Sequence, residues 1–273
     1  MKRNIGIRKF FSLLEVDFYR LLRSVAFYVI FGVFAAYQIL DILITLAANN
    51  LMKNLLDFGL ELELTTYSNQ LFGSTLSYGN LGLFLVIFFA VFLCSEFRSN
   101  TIRNKLTLGY SRTMVYFASL TVTYIVTLMA VALSCVINAA IGIPVLGWKH
   151  SSYAMQYAFY SLFALLPLVA LIHTLCYGSK SLGIALGVGL PTIIVLPSIF
   201  SLISLFANDS KGVEWVIRLI FIALEEYIPV ALQYNGEVQI LSNLALNASL
   251  SYILWTALFI VLGYFAFSKK DIK

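Results

Sequence analysis

The sequence predicts an all-α membrane protein with six transmembrane helices. Of its 273 residues, 60% are hydrophobic and only 11% are charged, and the mean hydropathy is +0.89. Soluble domains carry about 25% charged residues, so a soluble fold of this length could not remove so much apolar surface from water. The hydrophobic residues also gather in six long runs, with most charges between them. These runs leave no room for a separate soluble domain, and we expect one membrane domain, 1–273.

The first residues, 1–23, predict an amphipathic helix on the membrane surface. Phe10, Leu14, Phe18 and Leu21 recur at helical spacing, and basic residues lie around them. Such a helix places its apolar face in the lipid and its basic residues at the headgroups. The alternative is a basic N-terminal tail that only fixes the orientation of the first span.

Six apolar runs follow, each long enough to cross about 30 Å of hydrocarbon as a helix. They are Val25–Ala48, Leu76–Cys94, Met114–Ile141, Ala154–Tyr177, Leu182–Ala207 and Ala245–Phe267. The segment between the fifth and sixth runs, 208–247, is long for a plain loop, and its apolar part is too short to span. It predicts short re-entrant helices, or helices that lie on the outer surface.

The basic residues predict how these spans are oriented. All of them except Lys53, Lys149, Lys211 and Arg218 lie at the ends that share a side with the two termini. Lysine and arginine concentrate in the cytoplasmic loops of membrane proteins. We therefore expect a multi-pass protein of the cell (cytoplasmic) membrane with both termini in the cytoplasm.

The sequence contains no recognisable catalytic or metal-binding pattern. Its two histidines, His150 and His173, are not part of an H-E-x-x-H pattern, and its three cysteines lack metal-ligand spacing. A P-loop requires a Gly-Lys dipeptide, which does not occur. The basic residues form no continuous face for nucleic acid. We expect no enzymatic activity, no cofactor or metal on this chain, and no nucleic-acid partner.

The loop between the second and third runs, residues 96–112, is expected to dock a soluble partner. It mixes acidic, basic and polar residues, and its candidate contact residues are Glu96, Arg98, Asn100, Thr101, Arg103 and Arg112. A loop that only fixes topology is the alternative. That alternative explains the arginines, but not Glu96, Thr101 or the Gly-Tyr-Ser turn at 109–111.

Two aromatic stripes on the first and second runs are candidates for a substrate path. The first run carries Phe27, Phe31, Phe34 and Gln38 on one face, with Asp41 near it, and the second run carries Phe84, Phe88 and Phe92. A largely apolar cavity with a few polar groups suits a hydrophobic or amphipathic substrate. The alternative is that both stripes face lipid or form ordinary helix contacts.

The loop after the second span resembles that of the permease subunits of type-2 ABC transporters. In that family an E-x-x-x-G-T pattern precedes a leucine and a later Ser-Arg pair, and this chain has Glu96, Thr101, Leu106 and Ser111-Arg112. Asn100 stands where the family usually has glycine. The entry to the first span, 18–24, and the C-terminal end, 267–272, are also similar to those of the family.

The resemblance implies that residues 96–112 are the coupling helix that docks on a separate ABC ATPase, which carries ATP and Mg²⁺. It implies re-entrant helices at an outer gate within 208–247, where Glu225 and Glu226 lie. A second permease chain would complete a transporter of two permeases and two ATPases in the lipid membrane. The chain is most similar to bacterial exporters of amphipathic or antimicrobial peptides, such as those for phenol-soluble modulins and those giving lantibiotic or bacitracin immunity.

A protein without an ATPase partner is the alternative to this exporter. It would be a secondary carrier driven by an ion gradient, or a structural component of a larger membrane complex. Asp41 is the one carboxylate that lies clearly within an apolar run, and intramembrane charges mark ion pathways in carriers. Co-purification of a P-loop protein would separate the two hypotheses.

Overall fold

The computed structural model describes residues 2–56, 67, 75–148, 152–206 and 238–269, and within these ranges every regular element is helical. Nine α-helices are described: α1 (Lys2–Leu22), α2 (Val25–Leu56), α3 (Leu83–Arg98), α4 (Thr101–Thr107), α5 (Arg112–Ile137), α6 (Ile143–Leu146), α7 (Ser152–Ser179), α8 (Leu182–Phe206) and α9 (Val238–Ser268). The prediction of an all-α protein is confirmed.

Five helical segments in the described part of the chain are long and apolar enough to cross a membrane. They are Val25–Leu51, Gly79–Arg98, Arg112–Leu146, Leu182–Ile199 and Leu250–Ser268. The predicted fourth run is helical as well, as α7, and the part of α7 whose side chains the structure describes, Phe163–Ser179, is apolar. The chain is thus a multi-pass membrane protein by the length and composition of its helices.

The last helix begins earlier than its apolar run indicated. Helix α9 starts at Val238, whereas the run was predicted from Ala245, so residues 238–247 belong to this helix. A helix can continue past the apolar core of the membrane because its backbone hydrogen bonds do not depend on the side chains being apolar. The rest of the predicted re-entrant region, with Glu225 and Glu226, lies outside the described residues.

Two π-helical turns, Tyr78–Gly82 and Asn138–Gly142, interrupt the regular α-helical hydrogen bonding. The first leads into α3, and the second joins α5 to α6. π-Helical turns of this kind often occur at functional sites. The first turn contacts α3, and the second contacts α5 and α6. Both turns lie at the end of the bundle away from α4.

Helices α7 and α9 pack along much of their length, and Gly263 of α9 lies against Thr174 of α7 and Tyr116 of α5. On the same contact, the Thr174 hydroxyl donates to the carbonyl of Phe259 at 2.6 Å, and the Tyr116 hydroxyl donates to the carbonyl of Ile260 at 3.1 Å. A Cβ atom at position 263 would overlap Tyr116 Oη and would lie 3.1 Å from the backbone Cα of Thr174.

Gly263→Ala is therefore expected to destabilise the fold by about 1–3 kcal/mol, because overpacking forces neighbouring atoms apart. Thermal unfolding in detergent measures the effect. Gly32→Ala is the matched control, since nothing lies within 4 Å of a Cβ atom at Gly32. Equal melting temperatures for the two variants would contradict the close contact of α7 and α9.

Candidate functional site

Helix α1 packs on the protein with the face that was predicted to enter the lipid. Leu21 is fully buried, and Phe10, Leu14 and Phe18 are partly buried against the hydrophobic core. The large apolar side chains that α1 leaves exposed include those of Ile7, Phe11 and Leu22 instead. The orientation follows from Asp17, which lies on the packed face, one helical turn from both Leu14 and Leu21, and forms an ion pair inside the protein.

A charge cluster, formed by Asp17, Arg20, Glu96 and Lys105, lies at the end of the bundle that carries α4. The Lys105 ammonium donates to Asp17 Oδ1 at 2.5 Å, and its Nζ atom lies 3.7 Å from Glu96 Oε2. Arg20 donates to the other oxygen of the Glu96 carboxylate. Asp17, Glu96 and Lys105 are each no more than 5% exposed. Three helices, α1, α3 and α4, are thereby joined through buried charges.

Aromatic side chains extend the charge cluster toward α7. The Tyr177 hydroxyl donates to Glu96 Oε2 at 3.4 Å, and Tyr177 itself is fully buried. The Arg20 guanidinium lies over the Phe92 ring, 4.4 Å from its centroid, which is a cation–π contact. A displacement of α4 would therefore shift the contacts that it shares with α1, α3 and α7.

The electrostatic balance of the charge cluster depends on every member. Two carboxylates face two cations, so the cluster is neutral when all four are ionised. Burial raises the pKa of the Asp17 carboxyl, the negative charge of Glu96 raises it further, and Lys105 and Arg20 oppose both effects. Buried charges are tolerated only when they are paired, so removal of one partner leaves an uncompensated charge.

The remaining candidate coupling residues divide between an outward and an inward set. Arg98, Asn100 and Arg103 are exposed. Thr101 is half-buried, and its hydroxyl shares a 2.8 Å hydrogen bond with the Ser99 hydroxyl. Arg112 points inward and donates to the carbonyl of Ser268 at 2.6 Å, at the end of α9. Glu96 is also directed inward, so it cannot itself touch a docked protein.

Asn100 occupies a backbone conformation that glycine and asparagine both adopt. Its φ of 55° lies in the left-handed region, so the helical conformation is interrupted at Asn100 between α3 and α4. Glycine favours this region, and asparagine adopts it more readily than most other residues. The two residue types can therefore serve the same turn.

A cavity of about 500 Å³ opens beside α4. Its polar and charged lining residues are Ser95, Glu96, Arg98, Asn100, Arg103 and Lys180, and its apolar wall includes Val91 and Leu182. Among the described residues, Arg98 and Arg103 form no ion pair. The cavity lining, with three cations and one carboxylate, thus carries a net positive charge and suits an acidic group.

The two aromatic stripes pack against each other in this structure. Ring centroids lie 6.0 Å apart for Phe27 and Phe88, 5.9 Å for Phe31 and Phe88, and 5.2 Å for Phe34 and Phe84. Phe92 continues the contact, stacked on Phe88. The stripes thus form the contact between α2 and α3, which was the alternative to a substrate path.

Asp17, Arg20, Lys105 and Tyr177 are the site residues that sequence reasoning did not select. Asp17 is an acid on the apolar face of an amphipathic helix, and Lys105 follows the buried Ile102 by three residues. A charged residue on an otherwise buried face was the available signal for both. For Tyr177 we find no comparable signal, because tyrosine is common at the ends of membrane spans.

The fold and these contacts define a multi-pass, all-helical membrane protein whose α4 end is held together by buried charges. No protein-family model matches the chain, and no curated protein is similar to it in sequence. Its function must therefore be argued from the geometry of the described residues.

Proposed function

We propose that this chain is the transmembrane subunit of an ATP-driven ABC exporter with six spans and both termini in the cytoplasm of a bacterium. The observation that carries the proposal is α4, a short polar helix directly after the second span. Its outward residues are free to meet a partner, and its inward Lys105 is tied to the charge cluster. A docking helix needs both properties.

The charge cluster supplies the mechanical connection that such a transporter requires. ATP-driven closure of two ATPase subunits would push on α4, and the buried ion pairs would carry the displacement to α1 and α3. Tyr177 would carry it to α7. In this proposal Glu96 acts through its ion pairs, whereas Arg98, Asn100, Thr101 and Arg103 meet the ATPase.

The partners follow from what the chain itself lacks. Since the sequence has no P-loop, ATP and Mg²⁺ would bind to the separate ATPase chain. Two copies of this permease with two ATPases would make the full transporter in the lipid membrane. The exposed Arg98 at the end of α3, the exposed Arg103 on α4 and the positively charged cavity suit an acidic surface on the ATPase.

The proposed substrate is hydrophobic or amphipathic, such as a peptide toxin or an antimicrobial peptide. The packed aromatic stripes would line its path when α2 and α3 separate during alternating access, and Gln38 and Asp41 would add polar contacts. Glu225 and Glu226 are proposed for the outer gate.

Co-purification tests this function at the level of the complex. A tagged permease in mild detergent, co-expressed with its neighbouring genes, is expected to bring down a soluble chain that carries a P-loop. The absence of such a chain would reject the exporter and leave the ion-driven carrier, which half-buried Asp41 favours.

The proposed orientation predicts which residues face the outside of the cell. Single cysteines at Asn69 and Gly236, in a chain freed of its native cysteines, are expected to react with a membrane-impermeant maleimide added to intact cells. A cysteine at Ser99 should react only after the cells are opened. Labelling of the Ser99 position from outside would reverse the topology and place α4 away from cytoplasmic ATP.

A further inference from the structure

Polar side chains gather on one side of α2 at the end of the bundle away from α4. This Asp41 cluster consists of Tyr37, Gln38 and Asp41 on α2, Asn80 in the first π-helical turn, and Ser134 on α5. Asp41 lies within the apolar segment Val25–Leu51. An ionisable residue at such a position is costly, and residues of this kind usually mark a functional site.

The Asp41 cluster contains buried polar atoms that have no hydrogen-bond partner. The Tyr37 hydroxyl already donates to Asn80 Oδ1 at 2.7 Å, and Gln38 Nε2 already donates to the carbonyl of Ser134 at 3.2 Å. Gln38 is 1% exposed, and its Oε1 atom has no hydrogen-bond partner. Ser134 Oγ, also buried, has none either. Among the described residues, none forms an ion pair with Asp41.

Aromatic rings border the Asp41 cluster. The centroid of Phe84 lies 5.7 Å from that of Tyr37 and 5.2 Å from that of Phe34. A carboxylate and an unpaired amide oxygen beside aromatic rings are the groups that bind an ammonium ion. Within the described residues, no group of three His, Cys, Asp or Glu side chains is placed to hold a metal ion.

We propose that the Asp41 cluster binds the protonated amine of a cationic amphiphile, with Asp41 as its counter-ion and Gln38 Oε1 as a second acceptor. The apolar part of the amphiphile would lie along Phe34 and Phe84. The binding itself requires no partner protein, but the role of the amphiphile as a transported substrate rests on the proposed function.

The test compares two probes on the purified full-length chain in lipid nanodiscs. One probe is an alkyl chain with a dansyl group at one end and a primary amine at the other, and the second is its neutral N-acetylated analogue. We expect the wild type to bind the amine at least about tenfold more tightly, as for a charge-assisted hydrogen bond. Empty nanodiscs supply the correction for partition into lipid.

Asp41→Asn keeps the shape of the side chain. It is expected to remove the preference for the amine over its N-acetylated analogue, so that both probes bind with equal affinity. Glu15→Gln is the matched control, because Glu15 is an exposed acid on α1 and the variant should keep the wild-type preference. Equal affinity of both probes for the wild type, or an undiminished preference in Asp41→Asn, would overturn the proposal.

Because the wild-type comparison needs no variant, a folding defect cannot mask the result. Neither outcome changes the co-purification test, so the two proposals can fail separately.

Discussion

Replacing Lys105 with methionine is expected to lower the free energy of unfolding by about 3–5 kcal/mol. The substitution removes the cation that lies between Asp17 and Glu96 and leaves two buried carboxylates with Arg20 alone. Among the described residues, Arg20 forms an ion pair with Glu96 and none with Asp17, so Asp17 loses its ion-pair partner. Titration with SDS in mixed micelles, followed by fluorescence, measures the loss.

Two companion variants make this result specific to the charge cluster. Lys9→Met removes an exposed cation of α1 and should change stability by less than about 0.5 kcal/mol. Adding Asp17→Asn to Lys105→Met should restore part of the lost stability, since the two residues are in contact. Additive effects of the two substitutions would show that the ion pair is not formed.

The pH dependence of the Lys105→Met variant has a definite sign. Asp17 already has a raised pKa through burial and through Glu96, and loss of Lys105 removes an interaction that lowers it. A carboxyl group whose pKa is higher in the folded than in the unfolded state stabilises the fold at low pH, and this stabilisation disappears as pH rises through the folded-state pKa. The difference in the free energy of unfolding between the variant and the wild type should therefore become smaller as the pH is lowered.

Reversing the charge of both Arg98 and Arg103 to glutamate is expected to reduce transport by about tenfold or more, while insertion and stability stay near those of the wild type. Both side chains are exposed and without an ion pair among the described residues, so the fold does not depend on them. The proposed acidic surface of the ATPase would be repelled. Substrate-stimulated ATP hydrolysis in reconstituted vesicles measures the coupling.

Arg8→Glu with Lys9→Glu is the matched control for this charge reversal. It makes the same change in net charge on exposed residues of α1, neither of which lines the cavity beside α4. We expect its substrate-stimulated hydrolysis to equal that of the wild type. Unchanged substrate stimulation of ATP hydrolysis in the Arg98 and Arg103 double variant would show that these residues do not couple the permease to the ATPase.

The helices could be predicted from the sequence, because a membrane span is recorded directly in a long run of apolar residues. The run from Val25 and the run from Leu182 begin where α2 and α8 begin. Helix ends were less predictable, as α9 illustrates, since a helix continues beyond the apolar core without a change of backbone pattern.

The site could be predicted only in part, because helical spacing shows which residues share a face but not what that face meets. Phe27, Phe34 and Phe88 were placed correctly on single faces, yet their contact with each other depends on how α2 and α3 pack. Lys105 was counted among the residues that fix topology. Its burial depends on Asp17, which is distant in sequence and adjacent in space.

Site-specific cross-linking in cells shows whether α4 contacts an ATPase, as the proposed exporter requires. A photoreactive amino acid at Asn104, which is exposed on α4, should cross-link to a soluble chain that carries a P-loop. The same group at Phe11, 63% exposed on α1, should not form that product. If Asn104 gives no adduct with a P-loop protein while the chain is inserted and folded, α4 is not a coupling helix and the exporter assignment is wrong.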